Sequence, residues 1–231
     1  MAETYAGYLR LGGVLTLQHP TTPAEDDPSV HAGEHFFIVL HQAFELWFKQ
    51  VLVDLDCATV ALAGDAGAGA ALDHLRRVAA VLTMLRRQMS LLDHLSPQGF
   101  LAFRDNLGTT SGAESAQHRE IKDRLGLGPS GVSAVHRAVM DRIAADVARP
   151  GITADAPDAR LLTDLLKALA DISEGWHQLW SEHRRSVGRF IGNRTGSGGT
   201  SGAEHLASAA ARRAFPDLVR VAGREAAVVR R

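Results

Sequence analysis

The chain has 231 residues, 45% of them hydrophobic and 22% charged, which is the composition of a globular protein and excludes a disordered one. Its formal net charge of −1 excludes the broad field that would hold a protein on nucleic acid or an anionic membrane. Cys57 is the lone cysteine, so an internal disulfide is excluded and a reducing, cytoplasmic setting is expected.

From Glu34 the chain reads EHFFIVLHQAFELWFKQVLVDLD, apolar on nearly every face, the pattern of a helix buried at the centre of a bundle. GDAGAGAALD follows as a short connection, and residues 71–95 are expected to form a second long amphipathic helix. Ser96-Pro97 is an N-cap followed by proline at the first helical position, opening a short helix through Phe103 and Arg104. A turn, LGTTSGAES, leads into a polar helix ending near Gly126, and a modest helix spans about 132–148 before Pro150-Gly151. PGITADAPDA is the best linker candidate but is too short to divide the chain. The last long helix runs from about Ala159 to Ile191. Its stripe is Leu162, Leu165, Leu169, Ile172, Trp176, Trp180, His183, Val187 and Phe190, a three-and-four spacing held for about eight turns. Gly192 ends it, and beyond NRTGSGGTSGAEH the pair Ser201 and Glu204 forms a capping-box signature for one more helix. Strand-like alternation of useful length is absent, as are internal repeats, so the expected fold is all-α, a single helical bundle over residues 1–231. The opening MAETYAGYLR lacks the basic segment and apolar run of a signal peptide. No uninterrupted apolar run reaches the ~18 residues of a membrane span, and no membrane or nucleic-acid partner is expected.

Four features could carry chemistry. His183 interrupts an apolar stripe with a group able to ligate a metal; it is either a satisfied core histidine or an axial ligand to a heme, a role that suits a neutral imidazole on a rigid helix. His41 and Glu45 lie one turn apart, as a metal half-site or as a polar pair inside the core. A carboxylate-bridged site would need Glu-x-x-His partners on other helices, which are missing, and His31 with His35 is a weak zinc pair at the mouth of the same helix. Arg104, flanked by Phe100, Leu101 and Phe103, is either a surface arginine paired with Asp105 or another acid, or a buried one that needs a carboxylate, which a substrate could supply. Residues 194–202 hold four glycines in nine positions, a hinge or a loop whose backbone can approach a ligand closely. No lysine or P-loop spacing accompanies them.

Three longer segments, HFFIVLHQAFELWFKQVLVDLD, GFLAFRDNLGTTSGAESAQHREI and HRRSVGRFIGNRTGSGGTSGAEHL, occur in the order found in the tryptophan 2,3-dioxygenase family, which the chain resembles. YAGYLRLGGVLTLQHP resembles that family's start and RAFPDL its end. The resemblance implies a helical oligomer, a homotetramer or a dimer, enclosing heme b and using O2 to oxidise the indole ring of an amino-acid substrate. It implies that His183 is the axial ligand of the heme iron and that His41 is the catalytic-site histidine hydrogen-bonded to the indole N–H. Arg104 would grip the substrate carboxylate, and Phe37 would line the indole slot. Tyr5 and Tyr8, in an arm over residues 1–30, would help to close the pocket of a neighbouring subunit. Ser111 and Gly112 fall in the distal loop, while Gly196, Ser197, Gly198 and Gly199 form the loop beside the substrate ammonium and the heme propionates. The implied product is of the N-formylkynurenine type; the alternative is a monooxygenase that turns a β-substituted tryptophan into a 2-oxindole.

The departures from the family pattern gather around the substrate. Phe100 stands where a tyrosine hydroxyl commonly touches the carboxylate, Ser197 where threonine is usual, and Ala113 where a large aromatic is usual. The stretch between about 127 and 160 is shorter than in typical members. These changes point to a roomier pocket, suited to a β-substituted or ring-substituted tryptophan.

Overall fold

The computed structural model describes residues 4–64, 67–108, 112–148, 157–192 and 211–216, together with Arg194 and Ala207. The described residues are helical and contain no strand. Two short turns of helix, α1 (Tyr5–Tyr8) and α2 (Leu11–Val14), precede α3 (Pro28–Ala63) and α4 (Gly67–Met89). After them come α5 (Pro97–Arg104), α6 (Ala116–Arg124), α7 (Ala134–Val147) and α8 (Pro157–Ile191). The helix signalled by Ser201 and Glu204 lies outside the described residues, as does most of the linker candidate.

Side chains at the helix starts explain the boundaries. Asp27 accepts hydrogen bonds at 3.0 Å from the backbone N–H groups of Ser29 and Val30, and Pro28 occupies the first turn. That Asp-Pro pair starts α3 six residues before the expected Glu34, because a carboxylate cap and a proline preset for helical φ outweigh the polar character of the next residues. Ser96, Ser115 and Ser133 cap α5, α6 and α7 in the same way. The second long helix is also corrected. It starts at Gly67 and gives way at Ser90–His94 to a tighter 3-10 turn, whose Asp93 accepts from Arg185 at 2.7 Å and Arg189 at 2.9 Å of α8.

α4 is the centre of the packing. Both α3 and α8 lie along it, but α3 and α8 make no extensive contact with each other. Leu72, Leu75, Val78, Leu82 and Leu85 of α4 are buried, as are Leu165, Leu169, Ile172 and Trp176 of α8. Gly175 brings α8 so close that a Cβ there would stand 3.1 Å from the Cβ of Leu82. Each buried leucine contributes about 1.5–3 kcal/mol, against about 0–1 kcal/mol for an exposed ion pair, so this apolar contact sets the frame. A buried carboxylate fastens α3 to α4: Asp54 accepts from His74 at 2.7 Å and Gln50 at 2.9 Å. The segment Ala214–Phe215 is buried, tied to α6 through the Phe215 N–H to Leu125 carbonyl bond and to α8 through Ser173.

α3 does not keep all its apolar faces inside. Val39, Leu46, Val53 and Val60, seven residues apart, are 43%, 59%, 47% and 72% exposed. An 18-residue window of α3 reaches a mean hydropathy of 1.3, enough by length and composition alone to cross a membrane. The expectation that no uninterrupted apolar run reaches such a length still holds, because His41, Glu45 and Lys49 interrupt the stretch. The window is rich in apolar residues because α3 packs on α4, α5, α6 and α7 and still carries an apolar stripe to the outside. The arm before it is anchored from Leu17 onward: Gln18 and Gln42 bond at 2.6 Å, and the buried Glu34 accepts from Thr21 and Thr22. Tyr5 and Tyr8 stand 77% and 72% exposed.

Candidate active site

α4 separates α3 from α8, and the aromatic rings that line the facing sides of those two helices, the slot residues below, are met by rings of α5 towards one end and of α6 towards the other. At the α5 end, Phe37 meets Phe100 at 5.8 Å and Phe103 at 5.6 Å between ring centroids, and Phe100 meets Phe190 of α8 at 5.1 Å. At the α6 end, His118 lies 6.4 Å from Phe48 of α3 and 5.7 Å from Trp176 of α8. Phe48 follows Phe37 by eleven positions on α3, roughly 16 Å along the helix.

His41 of α3 lies near enough to His183 of α8 to act on its charge. Burial holds both imidazoles below the ordinary value of 6.5, His183 down to about 4, and the proximity of His41 lowers His183 further. His41 is nevertheless open to solvent. Its ring stacks on Phe37 with centroids 3.9 Å apart, and its Nδ1 lies 2.7 Å from the Phe37 carbonyl oxygen. A carbonyl only accepts, so Nδ1 carries the proton and Nε2 keeps a lone pair for an incoming N–H donor. His183 is half-buried, and its Nδ1 is the enclosed atom, without a partner. That leaves Nε2 as the nitrogen through which the ring meets the slot. A neutral imidazole with a free nitrogen on a rigid helix has the donor chemistry of an axial heme ligand.

The other predicted residues fall into three groups. Phe100 and Arg104 lie one turn apart on α5, so the half-buried Arg104 is beside the aromatic wall. Tyr5 and Tyr8 lie on the exposed arm, away from the slot of their own chain. Ser111, Gly196, Ser197, Gly198 and Gly199 lie outside the described residues, as does the Ala113 side chain; Gly112 begins an exposed 3-10 turn. The metal half-site reading of His41 with Glu45 is corrected. The Glu45 carboxylate accepts from Gln117 of α6 at 2.7 Å, so it fastens α6 over the slot. His31 is committed to the Thr22 carbonyl at 2.8 Å, and no group of three metal-ligating side chains exists among the described residues.

One residue in the slot escaped the sequence reading. His118 sits between Trp176 and Trp180, at 4.5 Å from the latter, with a pKa lowered to about 4 by burial and by Lys122, His183 and Arg119. The signal was available: His118, Ile121 and Leu125 repeat at three-and-four spacing, so this histidine, like His183, breaks the apolar face of a helix.

Fold and site together define an all-helical protein with two neighbouring imidazoles beside an aromatic slot. The sequence profile described as tryptophan 2,3-dioxygenase matches residues 1–134. The tryptophan 2,3-dioxygenase of Anaeromyxobacter sp. (strain K) is 32% identical over 262 aligned residues, covering 96% of each chain. Those of Herpetosiphon aurantiacus and Caulobacter vibrioides are 31% and 30% identical, covering 94% and 93% of this chain and 96% and 95% of theirs. The chain belongs to the tryptophan 2,3-dioxygenase family, a family of oxidoreductases.

The two histidines held down to about 4, His118 and His183, make the heme-free protein acid-sensitive. On unfolding, His118 and His183 return towards 6.5, so between about 6.5 and 4 the unfolded chain binds more protons than the folded one. Stability therefore falls as pH drops through that window and is unaffected by these groups above it. Urea midpoints of heme-free protein from pH 7.5 down to about 4 are expected to show this fall. His118→Phe is expected to make it shallower; an identical slope in the variant would reject the assignment to His118.

Proposed function

We propose that the chain is a heme-dependent oxygenase that inserts oxygen from O2 at the indole C2–C3 bond of L-tryptophan or a substituted tryptophan. The observation that carries this reading is the tautomer of His41. Its Nδ1–H is committed to the Phe37 carbonyl, so Nε2 keeps a lone pair for a donor beside the Phe37 ring. An indole presents one N–H on a flat apolar ring, and a lone pair at the edge of an aromatic slot is its complement.

His183, through Nε2, would hold the heme b iron, and the bound heme would supply the activation of O2. The rest is positioning by the chain. Phe37 and Phe100 flank the indole faces, while His41 accepts the indole N–H and fixes which ring edge is presented. Arg104, one turn from Phe100, holds the carboxylate by charge-assisted hydrogen bonds. Ser111, Gly112 and the loop with Gly196, Ser197, Gly198 and Gly199 are assigned by the resemblance to the ammonium and the propionates. Closing the slot removes water, which strengthens each of these polar contacts.

Addition of both oxygen atoms opens the ring to an N-formylkynurenine-type product. The alternative, a 2-oxindole from a β-substituted tryptophan, takes one oxygen into the product and needs two electrons from an external reductant. Phe100 favours a substituted substrate in either case. Packed against Phe37, Phe103 and Phe190, it offers an apolar wall where a hydroxyl would offer a hydrogen bond of about 1 kcal/mol.

Self-association belongs to the same reading. The stripe Val39, Leu46, Val53 and Val60 has the seven-residue repeat of a helix seam, and a second copy of the chain is the simplest cover. The exposed Tyr5 and Tyr8 would then reach a neighbouring pocket.

Reduced, heme-loaded protein given L-tryptophan or its β-methyl analogue with 18O2 is expected to yield a ring-opened product carrying two labels. One label in a ring-intact product selects the monooxygenase, and no product with either substrate rejects the indole reading. His183→Ala is expected to abolish heme retention, measured from the Soret band. Arg104→Ala is expected to weaken substrate binding by about 2–4 kcal/mol in a spectral titration. Light scattering is expected to give a dimer or tetramer that Leu46→Glu with Val53→Glu reduces to monomers; unchanged mass in that variant would remove the α3 seam from the interface.

A further inference from the structure

Between α2 and α3 the chain reads LQHPTTP from Leu17 to Pro23, outside any helix. Its two prolines fix their own φ and push the residues before them, His19 and Thr22, towards extended backbone. The segment is nonetheless bonded to α3 at both ends. At one end the Leu17 carbonyl accepts from the Gln42 side chain at 2.9 Å, and Gln18 donates to Gln42 at 2.6 Å. At the other end the buried Glu34 accepts from the Thr21 N–H, the Thr21 hydroxyl and the Thr22 N–H at 2.7 to 2.9 Å. The Thr22 carbonyl accepts from His31 at 2.8 Å. Burial alone would raise the Glu34 pKa, but the bonds from Thr21 and Thr22 hold it below the ordinary carboxylate range, so these bonds are charge-assisted. From Gln42 back to Glu34 the helix spans roughly 12 Å, and extended backbone from Leu17 to Thr21 spans about 13 Å. The segment is therefore a strap with little slack, running antiparallel to α3.

One bond of the strap leads away from α3. The Thr22 hydroxyl accepts from the Asn106 side-chain amide at 3.2 Å. Asn106 lies in the 3-10 turn that follows α5, two residues beyond Arg104. The rest of α5 is held on α3 by apolar packing. Phe103 is fully buried and meets Phe37 at 5.6 Å, Phe100 meets Phe37 at 5.8 Å, and a Cβ at Gly33 would stand 4.0 Å from the Phe103 ring. Ring packing is non-directional and places the helix without fixing its roll. The Thr22 bond is directional, and it acts at the end of α5 that carries Arg104. The strap is thus bonded to the residue after His41 at one end and, through Asn106, beside Arg104 at the other.

We propose that the strap Leu17–Thr22 is a positioning element for the amino-acid end of the substrate, with Thr22 and Asn106 as the positioning residues that set Arg104 relative to His41. The inference rests on the reading of Arg104 as the carboxylate grip and of His41 as the indole acceptor. An indole amino acid carries its ring N–H and its carboxylate at opposite ends of one short side chain. Both are met at once only when the two protein groups stand at the matching separation, and a small misplacement loses one of them. The strap ties the end of α5 to the helix that bears His41, so that separation is set by α3 and not by ring packing alone. Loosening it weakens the hold on the carboxylate and leaves the rest of the slot as it is.

The test uses heme-loaded, full-length protein and equilibrium dialysis of radiolabelled L-tryptophan under nitrogen, which prevents turnover. Thr22→Val keeps the side-chain shape and the N–H to Glu34 but removes the acceptor for Asn106. Asn106→Ala removes the donor. Each is expected to weaken L-tryptophan binding about threefold to tenfold, the loss of one hydrogen bond. The double variant is expected to bind no more weakly than Thr22→Val alone, because both changes cut the same bond. Cyanide affinity of the ferric heme, which needs no carboxylate grip, is expected to stay at the parent value in all three variants. Parent affinity for L-tryptophan in the single variants, additive losses in the double one, or a parallel loss of cyanide affinity overturns the proposal. Failure of the underlying reading looks different: Arg104→Ala would itself bind L-tryptophan as tightly as the parent.

Discussion

The contact of two long helices with a third governs this molecule. α4 is flanked on both sides, and the apolar surfaces it buries against α3 and α8 outweigh any ion pair on the exterior. Because α4 lies between them, α3 and α8 cannot close on each other, and the slot is a geometric result of that spacing. Everything functional is then placed by register along two helices. α5 and α6 act as end walls, each fastened by specific bonds: α5 through Phe100 and Phe103, α6 through Gln117 on Glu45 and Arg124 on Asp56. The Asp93 clamp on Arg185 and Arg189 fixes the end of α8 that carries His183.

Within that frame the chemistry depends on which nitrogen of each imidazole is committed. His41 has one nitrogen bound to its own helix backbone, which leaves the other free in a known protonation state. His183 hides one nitrogen in protein and turns the other to the slot. Burial keeps the charged form of both unfavourable, so the slot holds neutral donors and acceptors.

Much of this was legible in the sequence, and the misses have physical causes. The eight-turn stripe of α8 and the Ser96-Pro97 start of α5 were readable because periodicity and capping are local signals. The start of α3 at Pro28 was carried by an equally local signal, Asp27-Pro28, which the strongly apolar run from Glu34 masked. The 3-10 turn at Ser90–His94 was not legible, because it is imposed by tertiary bonds from Arg185 and Arg189. His183, His41, Phe37, Phe100 and Arg104 stood out through motif words; of these, Phe37 packs on His41 and Phe100, Phe100 packs on Phe190 of α8, and Arg104 lies one turn from Phe100. The spacing of His118 with Ile121 and Leu125 did mark it, but that pattern is short and the polar Gln117 and Arg119 beside it hid the signal. Only the meeting of α6 with Trp176 and Trp180, far along the chain, makes it a slot residue. The exposed face of α3 was misread as interior, since an all-round apolar helix does not say whether its last face is covered by its own chain.

The three tryptophans occupy three different environments, which gives the protein a built-in optical readout. Trp176 is 2% exposed in the packed core, Trp180 sits against His118 at the slot, and Trp47 is 41% exposed on α3. Their emission therefore separates by colour: blue-shifted light from the core indole, red-shifted light from the exposed one. A porphyrin lodged in the slot would drain excitation from Trp180 first, by energy transfer over the shortest path, while Trp47 would respond to whatever covers the outer face of α3. One fluorescence spectrum, resolved by wavelength, would then report core integrity, slot occupancy and surface contact at once.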